Sequence, residues 1–166
     1  MARQLWLLRH AEAEPHGSRS DAERRLTERG ERQARAAGIA LERIGVKFDA
    51  ILASPKVRAR QTAELAAEAW SADQQTRLRE HEPLAGGFDA PQALEALAEV
   101  GAEGCVLLVG HEPDLSRVAG ELTGGRLVMK KGGVAAVRLD GPGGELLVLM
   151  RPRELGVIAG VPAGRD

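Results

Sequence analysis

Arg9, His10, Arg58 and His111 are the residues of this chain whose types and placement can do chemistry. Each stands just past a short apolar run, in LWLLRHAEAE (5–14), ILASPKVRARQTAE (51–64) and VLLVGHEPDLS (106–116). Each segment reads as a strand, a sharp turn and then a loop or helix. If the strands lie side by side in one parallel sheet, the four side chains meet at the edge where open α/β sheets bind ligands. Two guanidinium groups and two imidazoles gathered there repel one another unless an anion sits among them. Phosphate fits best, because an arginine fork binds two of its oxygens at once.

Arg58 falls in the first turn of a helix that starts at Ser54-Pro55, with Ser54 as cap and Pro55 at the first helical position. Helix-terminal N–H groups there also favour an anion. The histidines can serve as nucleophile, acid or base, or donor. A metal held by His10 and His111 with Glu12 or Asp114 is the competing idea. Two adjacent arginines oppose a divalent cation, and no HExxH spacing is present. No metal or other cofactor is therefore expected. The remaining nucleophile for phosphoryl transfer is a neutral imidazole, its pKa lowered by Arg9 and Arg58. The arginines and the second histidine would hold the phosphoryl oxygens.

The elements that must position these residues alternate between strand and helix. Residues 4–9, 49–53 and 105–110 read as buried strands. Thr27 caps a helix from Glu28 to about Ile44, closed by Gly45, with Gly30 and Gly38 allowing close packing. Further helices run from Ser54-Pro55 to about Trp70, from Pro91 to near Gly101, and from Glu112-Pro113 to near Thr123. Residues 71–88 read as irregular. Runs 134–139 and 145–150 flank DGPGG as an antiparallel hairpin. The tail VIAGVPAGRD carries no functional signal. The expected fold is a three-layer α/β/α sandwich with a mostly parallel central sheet and an antiparallel C-terminal hairpin.

The 166 residues suit one domain spanning 1–166. Lysine and arginine number 23 against 24 acidic residues, with no long block of one sign. That balance, with only four aromatic residues, argues against nucleic-acid binding. Stretches such as ERRLTERGERQAR read as solvated helix faces. No apolar run reaches membrane-spanning length and no signal peptide is evident, so a cytoplasmic protein is expected. Cys105, the single cysteine, reads as a buried strand thiol. His16, His81 and Glu14 read as surface groups, and Gln61 and Thr62 as packing or capping residues. Gly110 fits either a backbone running close to phosphate or a tight turn. Lys130 and Lys131 read as a pocket rim or a solvated turn.

LLRHAEAE, RRLTERGERQA, ILASPKVRARQTAE and LLVGHEPDLS, in this order and at these separations over most of residues 4–122, resemble the histidine phosphatase superfamily. Within it the chain looks like the short SixA-type phosphohistidine phosphatases. The resemblance implies that His10 is the nucleophile that becomes phosphorylated, and that Arg9, Arg58 and His111 complete the phosphate pocket. It also implies a Glu or Asp as proton donor, for which Glu80 in LREHEP is the best positional match and Glu82 the near competitor. A labile P–N bond needs less acid assistance than an ester. The expected activity is metal-independent hydrolysis of phosphohistidine in a phosphorelay or phosphotransfer protein. The alternatives are a small-molecule phosphomonoesterase and a non-catalytic module that binds phosphorylated partners.

Overall fold

A computed structural model describes residues 3–141 and 143–161. Six strands form one sheet: β1 (Arg3–Arg9), β2 (Ala50–Ala53), β3 (Leu78–Glu80), β4 (Cys105–Gly110), β5 (Val134–Leu139) and β6 (Gly144–Met150). Their spatial order is β3-β2-β4-β1-β5-β6. The first four run parallel, and β5 and β6 each pair antiparallel to the preceding neighbour. The helices are α1 (Glu28–Ile44), α2 (Val57–Ala67), α3 (Ala72–Gln75), α4 (Ala90–Ala98), α5 (Asp114–Thr123) and α6 (Pro152–Ala159). This is the expected α/β architecture with its parallel sheet and C-terminal hairpin. Pro142 of the DGPGG turn lies outside the described residues, as do the last five residues of the tail.

The central strands are apolar throughout because both faces of the sheet are covered. Alternation divides them: Trp6, Leu8, Ile51, Leu107 and Val109 face a core shared with α1, α2 and α6. Leu5, Leu7, Leu52, Val106 and Leu108 face the opposite core, under α4 and α5. Phe48 anchors the first layer, with its ring centroid 5.3 Å from Trp70 and 6.3 Å from Trp6. Burying a side chain of this size contributes roughly 1.5–3 kcal/mol.

Helix α1 is capped as its sequence predicts: the Thr27 hydroxyl accepts from Gly30 N–H, and Gly45 closes the helix at φ 87°. Gly30 and Gly38 are contact points. A Cβ on Gly30 would lie 1.9 Å from the Glu12 carbonyl oxygen, and one on Gly38 would lie 2.0 Å from that of Ala66. The first contact lets α1 press on the loop after β1, and the second lets α1 cross α2.

Three local expectations need correction, and one helix lies where no element was assigned from sequence. Helix α2 begins at Val57, not at Ser54-Pro55, and ends at Ala67, leaving Trp70 to donate through its indole N–H to the Gly38 carbonyl. Residues 71–88 hold α3, β3 and a 3-10 turn at Glu82–Ala85. Residues 152–159 form α6, which packs on the α1 side of the sheet. Arg24, expected on a solvated face, is buried, bonding Asp21 and the Glu14 carbonyl.

Candidate active site

Three adjacent parallel strands, β2, β4 and β1, end together, and the four expected side chains leave from their C-terminal edge. Arg9 closes β1 in register with Gly110, and Ala53 pairs with Val109. The exits are pinned by backbone bonds, His10 N–H to the Gly110 carbonyl and Ser54 N–H to that of Val109, both 2.9 Å. Gly132, at φ 74°, donates its N–H to the Arg9 and His10 carbonyls, while Arg9 N–H donates to Gly133. The Lys130–Gly133 loop is thereby locked against the two residues.

His10, Arg58 and His111 are buried, and the two imidazole centroids lie 5.2 Å apart. His10 Nδ1 is 2.8 Å from the Ala11 carbonyl oxygen. A carbonyl only accepts, so Nδ1 carries the proton and Nε2 keeps its lone pair. The Ala11 segment is held in turn by its N–H donating to the Thr62 hydroxyl, which donates to the Arg58 carbonyl. Gln61 similarly accepts from Leu26 N–H. Thr62 and Gln61 are thus packing and tethering residues, as expected.

Arg9 Nη1 donates to the Met129 carbonyl at 2.8 Å. Arg58 Nη1 donates to the Asp21 carbonyl, and Nη2 lies 3.3 Å from Asp21 Oδ2. His111 Nε2 is 2.8 Å from Ser54 Oγ. Ser54 is not the helix cap: its hydroxyl accepts from Lys56 N–H in the turn before α2 and meets His111 at the same time. Among the described residues, the buried polar side-chain atoms without a hydrogen-bond partner are Arg9 Nε, Arg58 Nε, His111 Nδ1 and Gln74 Nε2. Three of these four belong to the cluster.

Burial is the leading cause of every pKa shift in the cluster. It pushes His10 down to about 3, offset in part by the Ala11 carbonyl and reinforced by His111, Arg58 and Arg9. It pushes His111 down to about 4, with Arg58 and Lys56 adding to the effect. Arg58 and Arg9 thus lower the His10 imidazole as expected, but contribute less than desolvation. Arg9 and Arg58 are themselves lowered by burial, against the opposing pull of Glu112 and Asp21 respectively. Two neutral imidazoles and two guanidinium groups can hold a phosphoryl group and present one unprotonated nitrogen to it.

The other candidates are spread around this edge. Glu80 ends β3, exposed, with its carboxylate 3.2 Å from Arg60 Nη1. Glu82 is exposed in the turn that follows. Glu12 bonds the Thr27 hydroxyl and Arg29. Asp114 is buried and takes Phe88 N–H and Arg117. Gly110 is an ordinary strand residue: a Cβ there would meet Leu84 and Leu115 at 3.4–3.5 Å. No group of three or more His, Cys, Asp or Glu that could hold a metal occurs among the described residues. None of the helices among them is long and apolar enough to cross a membrane.

Residues 5–87 match the Histidine phosphatase superfamily (branch 1). An uncharacterized protein of Picosynechococcus sp. is 32% identical over 146 residues, covering 81% of this chain and 84% of that one. The mitochondrial serine/threonine-protein phosphatase Pgam5 of Drosophila ananassae is 44% identical over 64 residues, 39% of this chain and only 22% of that protein. Among solved structures, the protein histidine phosphatase SixA complexed with tungstate superposes with a TM-score of 0.79 at 27% identity, covering 92% of this chain and 99% of that one. Phosphoserine phosphatase from Entamoeba histolytica shares the fold, with a TM-score of 0.70 at 16% identity over 92% of this chain and 99% of that one. By matched sequence and shared architecture, this chain belongs to the histidine phosphatase superfamily and is a SixA-like phosphatase.

Proposed function

We propose that this phosphatase works through a phosphorylated His10, needs no metal, and takes phosphohistidine in a protein as its substrate. The observation that carries the reading is the bond from His10 Nδ1–H to the Ala11 carbonyl. It leaves Nε2 unprotonated in a cluster where Arg9 Nε, Arg58 Nε and His111 Nδ1 have no protein partner. In the first step the Nε2 lone pair forms a bond to phosphorus. The bond from phosphorus to the substrate imidazole breaks, and the leaving nitrogen takes the electron pair and a proton. Glu80 is the proposed donor of that proton, with Glu82 as its competitor; bulk water suffices for a labile P–N bond. Water then attacks phosphorus, the Nε2–P bond breaks, and phosphate leaves with His10 neutral again. Arg9, Arg58 and His111 hold the equatorial oxygens throughout.

Two features favour phosphohistidine in a protein over a small ester. The SixA structure, which covers almost the same length, is itself a protein histidine phosphatase. The exposed position of Glu80 also suits a substrate that makes little demand on an acid. The test is a panel of phosphohistidine peptide, phosphoserine peptide and small phosphomonoesters, assayed with chelator present. Hydrolysis fastest on phosphohistidine, lost in His10→Ala, is expected. A phosphoenzyme that is labile in acid and stable in alkali should form on the wild type. Activity surviving His10→Ala overturns the covalent step, dependence on added metal overturns the metal-free mechanism, and preference for a small ester overturns the substrate.

A further inference from the structure

A second basic cavity adjoins the phosphate pocket. It measures about 430 Å³, and its wall includes Arg9, Arg29, Lys130, Lys131 and Arg151, with Glu12 the one acidic residue. Arg9 belongs to both sites. The cavity draws its walls from four places in the chain: the end of β1, the start of α1, the loop before β5 and the start of α6. Part of its charge is already matched, since Arg29 meets Glu12 and Arg151 meets Glu154. The Lys130 and Lys131 side chains are exposed, and neither has an ion pair among the described residues. Their backbone is not loose, because Gly132 is bonded to the Arg9 and His10 carbonyls. Two unneutralised ammonium groups are thus presented on a fixed loop beside the residue that grips phosphate.

We infer that this cavity is an anion subsite for a second negatively charged group carried by the phosphorylated substrate. The inference deepens the proposed function and rests on its assignment of Arg9 to the phosphate pocket. The second group is a carboxylate or phosphate: an acidic side chain near the phosphohistidine of a protein, or an acidic group on a phosphorylated small molecule. Its attraction to exposed lysines is Coulombic and weakens with salt.

Two matched comparisons test it on the wild type and on a Lys130→Ala/Lys131→Ala variant, which leaves the proposed catalytic residues in place. The first compares phosphohistidine peptides with Glu or with Ala flanking the modified residue. The second is calorimetric and needs no turnover: phosphonoacetate, 3-phosphonopropionate and 4-phosphonobutyrate against methylphosphonate. The acidic probe should be favoured about tenfold by the wild type, less at high salt, and the preference should collapse in the variant. A preference confined to peptides assigns the subsite to a protein substrate, and one confined to the phosphonates assigns it to a small molecule. If phosphohistidine is not hydrolysed but the phosphonate preference holds, the proposed function fails and the subsite stands. Equal affinity for all probes in the wild type, or a preference that survives in the variant, overturns the subsite.

Discussion

Ser54 Oγ and His111 Nε2 lie 2.8 Å apart, joining the ends of β2 and β4 through two buried side chains. The Ser54 oxygen already accepts from Lys56 N–H, so its own hydroxyl proton is available to the ring. With Ser54 donating to Nε2, the single proton of neutral His111 sits on Nδ1, the atom with no protein partner. In the proposed mechanism Ser54 is then a positioning residue that sets His111 as a donor to phosphate. Ser54→Ala should lower kcat/KM by about 10- to 100-fold and raise the inhibition constant of inorganic phosphate, while melting temperature changes little. An unchanged phosphate constant would show that the hydroxyl serves only the turn at Lys56.

The two histidines also set a pH dependence. Their folded values, about 3 for His10 and about 4 for His111, lie below the ordinary value of 6.5. The unfolded chain therefore binds more protons than the folded one below about 6.5, so stability rises with pH there. The stability they contribute is complete above pH 6.5 and is lost progressively as pH falls from there, the loss ending near 4 for His111 and near 3 for His10. A His10→Ala/His111→Ala variant should show a shallower fall in melting temperature from pH 6.5 to 4. On the activity side, kcat/KM corrected for substrate ionisation should have no limb near 6.5. Such a limb would mean that His10 is charged at mildly acidic pH.

The glycines of α1 separate stability from activity. Alanine in a helix is ordinarily favoured over glycine by about 1 kcal/mol. Here each new Cβ would meet a carbonyl oxygen at 1.9–2.0 Å, so both substitutions should destabilise, by about 1–3 kcal/mol in denaturant melts. Gly38→Ala displaces the α1–α2 crossing and should keep most of its kcat. Gly30→Ala pushes on Glu12, two residues after His10, and should lose kcat as well as stability.

Cys105 should be a bystander. Burial, with the negative charge of Asp49 nearby, pushes its thiol up to about 12, where almost no thiolate exists at neutral pH. Iodoacetamide at pH 7.5 should modify it slowly and leave phosphatase activity intact. Rapid inactivation that substrate prevents would contradict this.

The parts of the fold that could be read from sequence are those whose cause is local. β1, β2 and β4 are apolar runs because both sheet faces are covered, and Thr27 and Gly45 mark α1 by their own chemistry. β3 escaped because it is three residues, LRE, lying at the sheet edge with one apolar side chain. α6 was signalled only by Pro152 at its first position and by Glu154, which bonds back to Arg151 N–H, a short cue to which no element was assigned from sequence. The four phosphate-pocket candidates were legible because each follows an apolar strand. Their supports were not. Met129 holds Arg9 from 120 positions away through a carbonyl that any residue would supply. Ser54 looked like a cap because serine before proline usually is one, and its imidazole partner is 57 positions distant.

The strand order has a consequence for when the site comes into being. β4 lies between β1 and β2 in space but follows both in the chain. Residues 5–87, the part that matches the family, therefore contain Arg9, His10 and Arg58 but not the strand that sets their spacing. During synthesis the growing polypeptide can form its first helices, yet the side chains of the proposed phosphate pocket are not brought together until β4 has emerged and slotted between its predecessors. Assembly of the proposed phosphate pocket is thus a late event of folding, and phosphate binding by a refolding chain should report closure of the central sheet.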